Sequence, residues 1–160
     1  MKNEKGFSLV ELMIIVSIIG IIVAIAIPSL LTSRMAANEA GAITGLRPVS
    51  SAEVCFSATH NQQYTNLSSL VAGQYLDSRF SSAGYINGYT YTADADASIT
   101  GAPTSGGPPS NFGVLAQPKS GAGRFTYAIT VDQVIRFEGV ASPTTYPAGA
   151  STGSPIGKAP

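Results

Sequence analysis

Lys5-Gly6-Phe7-Ser8-Leu9-Val10-Glu11-Leu12 opens, and Pro28 closes, a stretch whose interior reads Met13-Ile-Ile-Val-Ser-Ile-Ile-Gly-Ile-Ile-Val-Ala-Ile-Ala-Ile27. After Glu11 no charged residue occurs until Arg34, so residues 12 to 33 form one uncharged run of 22. A helix from Phe7 to Pro28 is about 33 Å long at about 1.5 Å per residue, enough to cross a hydrocarbon core of about 30 Å. The head, Met1-Lys-Asn-Glu-Lys5, carries two lysines. By the positive-inside tendency it stays in the cytoplasm and the rest of the chain lies across the membrane.

The remaining composition narrows the chemistry. The 160 residues include 9 Lys plus Arg against 9 Asp plus Glu, so no basic excess argues for nucleic acid, and any DNA binding would rest on a local patch the sequence does not identify. With one Cys and one His, the chain cannot close an internal disulfide or build a multi-ligand zinc or iron-sulfur site. A secretory signal cut after Ala24-Ile25-Ala26 is a rival account of the apolar run, leaving a soluble secreted binding protein. The run is longer than the roughly 7 to 15 residues of such a signal and has a carboxylate, Glu11, at its edge. A plain single-pass anchor leaves Glu11 equally unexplained.

An ionised side chain in an apolar span costs about 2.5 to 3.5 kcal/mol at a helix centre and less near an interface. Glu11 therefore needs a partner or a shallow position. Phe7 and Glu11, four apart, share a helix face. Gly6 is a small, flexible residue that a peptidase can grip in extended form. Cutting after it exposes an amine on Phe7 at the depth of Glu11, and a staggered neighbouring helix can pair its own Glu11 with that amine.

The segment from Lys5 to Leu12, with the apolar run ending at Pro28, resembles the start of type IV prepilins and of the related pseudopilins of type II secretion. That resemblance implies a short leader, residues 1–6, removed by prepilin peptidase, with cleavage between Gly6 and Phe7 and N-methylation of Phe7. It also assigns subunit assembly to Glu11 and a helix kink to Pro28. A weaker likeness to pilins continues through Gly45-Leu-Arg-Pro-Val-Ser-Ser-Ala-Glu-Val54 and Leu67…Leu70…Gly73-Gln-Tyr-Leu-Asp77.

Beyond Pro28 the chain is Ala-rich to Arg47, with Leu31, Met35 and Ile43 at helical spacings, so the helix is expected to continue past the membrane. The long helix is assigned to 7–60, its transmembrane half to 7–29. Gly20 is a second weak point in the span, and Pro48 predicts a further kink or break. Ala52, Cys55 and Phe56 are spaced to face a core, where Cys55 acts as a small buried apolar residue. His60 follows the helix end.

Residues 61–160 read as a β-sheet domain. Leu67, Leu70, Val71 and Leu76 suggest a short helix or turn. Strands are expected at Tyr89–Ala93, Phe112–Ala116, Arg124–Val131 and Val134–Glu138, with a tight hairpin at Asp132-Gln133. Residues 99–111 read as a flexible loop and 139–160 as a Pro/Gly/Ser/Thr tail not ordered throughout. The fold class is α+β, a long N-terminal helix packed against a small antiparallel sheet, and the resemblance implies the same pilin fold.

No nucleophile-base constellation survives inspection, so no catalytic residue, metal ligand or cofactor is assigned, and the chain is not read as an enzyme. Asp94 and Asp96 could lend oxygens to calcium, as a loop of the major pseudopilin does. The further acidic ligands a hard cation needs are not evident nearby. Asn66-Leu67-Ser68 matches a glycosylation sequon of a kind common by chance. The expected function is that of a structural subunit stored in the inner membrane, N-terminus cytoplasmic, and polymerised through its apolar helix into an extracellular pilus. The expected partners are copies of itself, prepilin peptidase, an inner-membrane assembly platform and, before assembly, the membrane. A type II secretion pseudopilin is the alternative within the same class, and the sequence does not decide between motility, adhesion, DNA uptake and secretion.

Overall fold

The computed structural model describes residues 6–80, 84–94, 112–139 and 154–155. They form an α+β arrangement. A long helix α1 (Leu9–Thr59) is followed by a short α2 (Leu67–Ala72), a 3-10 turn (Ser78–Phe80) and strands β1 (Tyr89–Asp94), β2 (Gly113–Pro118), β3 (Phe125–Thr130), β4 (Arg136–Gly139) and β5 (Ser154–Pro155). The strands make one antiparallel sheet in chain order, each paired with its sequence neighbour. The chain divides into two compact units, Met1–Arg34 and Met35–Pro160.

In the first unit every described residue is exposed, and apolar side chains point to all sides of the helix. A helix apolar all round matches lipid or packed protein rather than water. It is long and apolar enough to cross a membrane by length and composition.

In the second unit α1 changes character. Its buried residues are Glu39, Ala42, Leu46, Val49, Ser50, Ala52 and Glu53, the three- and four-residue steps of a single helical face. Ala42, Leu46, Val49 and Ala52 share a core with Leu67 and Leu70 of α2, Leu76, Phe80, Tyr89 and Phe112, and with Val114, Ala116, Tyr127 and Ile129 of the central strands. These last four alternate along β2 and β3, as residues of one sheet face must. Leu115 and Ala128, paired across the two strands, are buried as well, so β2 and β3 are covered on both faces.

Three expectations need correction. Pro48 does not end the helix, because it is exposed while Leu46, Val49 and Ser50 hold the turns around it against the core. Its ring removes one backbone donor, but the carbonyl thereby freed belongs to the exposed Thr44 and can meet water. Cys55 is exposed rather than buried. At about 100° per residue it sits roughly 200° around the helix from Glu53, past the buried face. The turn at Asp132-Gln133 is wider than a two-residue hairpin, since Ala128 pairs with Arg136 and residues 131–135 connect the strands. Asp132 shapes that connection by accepting from Thr130 Oγ1 (2.7 Å) and Val134 N (3.0 Å) and by pairing with Arg136. Within the tail, Ser154–Pro155 pairs with β4. The expected loop 99–111, the remaining tail beyond Gly139 and the Asp96 half of the calcium reading lie outside the described residues.

The sheet approaches α1 closely where the helix lacks side chains. The Tyr91 hydroxyl lies 3.4 Å and 3.5 Å from the carbonyl oxygens of Ala42 and Gly41. A methyl group on Gly45 would overlap that hydroxyl. Gly45→Ala should therefore cost about 1–3 kcal/mol of stability. Gly139→Ala, where an added carbon meets nothing within 4 Å, should leave the midpoint nearly unchanged. Denaturant unfolding of the two variants side by side checks this, and equal midpoints would mean that β1 yields freely to the new methyl.

Candidate functional site

The residues singled out in the sequence lie along the exposed N-terminal unit. Gly6, Phe7 and Ser8 precede the helix in non-helical backbone, with open space around Gly6. Leu9 begins α1, and the Ser8 carbonyl accepts the first helical bond from Leu12 N at 3.2 Å. Glu11 therefore falls in the first turn. A carboxylate is favoured there because the unpaired N–H groups of a helix start carry partial positive charge. Ser8 and Glu11 also have the Ser-x-x-Glu spacing of a capping box, a signal already present in the sequence.

Pro28 lies inside α1, which is unbroken on either side of it. Just beyond, Thr32 Oγ1 donates to Ser29 O (2.9 Å) and Pro28 O (3.3 Å), and Ser33 Oγ donates to Ser29 O (2.9 Å). Deeper in the apolar run, Ser17 Oγ donates to Met13 O at 2.8 Å. The hydroxyls of Ser17, Thr32 and Ser33 thus find partners on their own helix, which reduces the cost of placing them in an apolar medium. The fold groups Gly6, Phe7 and Glu11 at the helix start and leave Pro28 some five turns along.

Against this chain stand three sets of matches. Residues 1–27 match the family model described as the prokaryotic N-terminal methylation motif. The chain is 33% identical over 72 residues to the type IV wide pilus major component PilA4 of Thermus thermophilus, covering 45% of this chain and 55% of that one. It is 41% identical over 54 residues to the type IV major pilin protein PilA of Myxococcus xanthus, 34% of this chain and 24% of that one. A fimbrial protein of Pseudomonas aeruginosa is 71% identical over 28 residues, 18% of each chain. Over these stretches the chain is similar to type IV pilins, and its start carries the N-terminal methylation motif. The matches span about half or less of these relatives' lengths, and no solved structure matches.

Two acidic residues act as structural anchors that the sequence pattern did not single out. Glu39 accepts from Arg124 N (2.8 Å) and Nε (3.1 Å) on one oxygen and from Nη2 (3.0 Å) on the other. The neighbouring Asn38 Nδ2 donates to Ala122 O at 2.9 Å, so adjacent α1 residues fasten the β2–β3 connection. The Arg124 side-chain bonds hold the Glu39 carboxyl below the usual carboxylate range, against the opposing effect of burial. Glu53 is fully buried and accepts from Thr65 N at 3.1 Å, and its other oxygen has no partner among the described residues. Burial pushes its carboxyl up to about 7. Both lie on the 39, 42, 46, 49, 53 stripe of α1, and that spacing was the available signal.

Elsewhere the polar groups hold structure. His60 stacks on Phe56 with ring centroids 3.8 Å apart, and its Nδ1 lies 2.9 Å from Thr59 Oγ1. Among the described residues no three His, Cys, Asp or Glu side chains converge as a metal group would require.

Because Glu39 titrates lower in the folded chain, its contribution is complete above its unfolded value of 4.5 and is lost as the pH falls below it. Arg124→Ala should lower stability at pH 7, solvent screening of the exposed arginine limiting the effect, and lower it clearly less at pH 3. Urea midpoints at the two pH values measure the difference; an equal loss at both would assign the effect to packing by the arginine stem.

Proposed function

We propose that this chain is a structural subunit of a type IV pilus and not an enzyme. It is held in the inner membrane by the apolar half of α1, N-terminus in the cytoplasm, until prepilin peptidase cuts between Gly6 and Phe7 and N-methylates Phe7. The assembly platform then transfers it into a homopolymeric extracellular filament. The observation that carries this reading is the start of α1: an exposed, non-helical Gly6-Phe7 bond, a carboxylate at Glu11, and then an apolar stretch to Arg34 with no side covered by its own chain. The methylation-motif match over residues 1–27 and the pilus names of the Thermus and Myxococcus relatives support it.

In this account the helix exchanges one apolar surrounding for another, lipid for neighbouring helices, so its side chains need not cross water. Glu11 is offset by the Phe7 amine of an adjacent subunit, and the geometry of that pair sets the stagger between copies. Pro28 bends the helix between its buried and outer parts. The relatives named as major pilus components favour a pilus over a secretion pseudopilus.

Mass spectrometry of the mature N-terminus should give an N-methylated Phe7, whereas a chain beginning at Ile27 would overturn the reading. Glu11→Ala should insert into the membrane normally and lower filament recovery by about tenfold or more, the effect of about 1.4 kcal/mol at each subunit contact. Quantitation of sheared filaments by electron microscopy and immunoblot checks this. Wild-type recovery from that variant would remove charge pairing from the mechanism.

A further inference from the structure

Glu53 has no part in the assembly reading, and its surroundings are unlike those of the other acids. It is 0% exposed on the core face of α1, with Thr65 N donating to one oxygen at 3.1 Å and nothing among the described residues donating to the other. A carboxylate offers about four lone-pair sites, so an ionised Glu53 is left far short of donors. The single donor comes from the connection between α1 and α2. There Gln62 N donates to Ser57 O (2.9 Å) and Gln63 N to His60 O (3.1 Å). Asn61 and Gln62 sit consecutively at φ 55° and 62°, a left-handed conformation that side chains tolerate only while their surroundings impose it. Next to Thr65, the Tyr64 ring packs 4.9 Å from Phe112, just before β2.

No charged side chain among the described residues compensates. Burial and the Thr65 N–H are what act on Glu53's ionisation. In the sheet, burial is what chiefly raises Tyr89, Tyr127 and Tyr91, Glu39 adding to the first two, while Glu39 raises Arg124. Flanking the connection, His60 is stacked on Phe56, the Tyr75 hydroxyl lies 3.0 Å from Thr59 Oγ1, and Asp77 pairs with Arg79.

We propose that Glu53 is a pH-operated latch on the α1–α2 connection: with a proton on its carboxyl the connection stays docked, and ionisation draws water to Oε1, frees Thr65 and lifts Tyr64 from Phe112. The carboxyl titrates at about 7 in the folded chain against 4.5 unfolded. The docked connection is therefore fully stabilised below 4.5 and loosens as the pH rises through about 7. This rests on the geometry around Glu53 and stands whether or not the chain forms a pilus.

The test uses the full chain in detergent micelles, labelled with 13C and 15N, between pH 4 and pH 8.5. The Glu53 Cδ signal should titrate near 7. The local opening constant at the Thr65 amide, from hydrogen exchange corrected for its intrinsic pH dependence, should rise about tenfold or more from pH 5 to pH 8. Glu53→Gln keeps an oxygen for Thr65 without ionising and should remove that rise. A Cδ midpoint near 4.5, a Thr65 opening constant independent of pH, or an equal rise in the Gln variant would each overturn the latch. If the variant does not fold, the wild-type Cδ and Thr65 titrations decide by themselves.

Discussion

The constraint on which this molecule depends is that one helix must satisfy two surroundings. From Met35 onward α1 is amphipathic, and its core face is met by the chain's own sheet and short helices. From Leu9 to Arg34 it buries nothing. Burying a Leu or Ile side chain stabilises by about 1.5–3 kcal/mol, so the many aliphatic side chains of that half leave tens of kcal/mol available to any apolar medium outside the chain. Lipid or a neighbouring copy can supply it, and water cannot. The sparse polar groups of the same half are consistent with that demand, since Ser17, Thr32 and Ser33 turn their hydroxyls onto the helix backbone.

Three glutamates on this helix illustrate how surroundings, not residue type, set the behaviour of a carboxyl. Glu11 sits in the first turn, where the helix itself offers positive potential. Glu39 is buried beside a guanidinium that binds both its oxygens, and it stays ionised easily. Glu53 is buried with one backbone donor and holds its proton to about 7. The last two occupy the ends of one hydrophobic stripe, so the core is framed by an acid that favours charge and an acid that resists it.

Much of this was legible in the sequence, and the illegible parts share a physical origin. The apolar span announces itself by composition. Four strands were found within about two residues at each boundary because Tyr, Thr, Val and Ile are concentrated in them. The face of α1 was harder to phase, because the buried Ala42 and Ala52 look identical to the exposed Ala36, Ala40 and Ala58. That ambiguity placed Cys55 inward. The role of Glu39 depends on Arg124, 85 residues away, and that of Glu53 on a connection whose backbone no local pattern specifies. Pro48 misled in the opposite direction, since a strong local preference for breaking the helix yields to packing on the other side of the same turn.

The order of the sheet has a further consequence. Because β1 to β5 pair strictly with their neighbours, no connection must cross over a strand or thread beneath the helix. Lengthening such a connection costs only about 0.6 kcal/mol for each doubling of its length. The segments between β1 and β2 and between β4 and β5 can therefore grow, shrink or change composition while every strand keeps its partner. The length and composition of these segments are thus uncoupled from the pairing of the sheet, so they are free to diverge at a rate the core does not share.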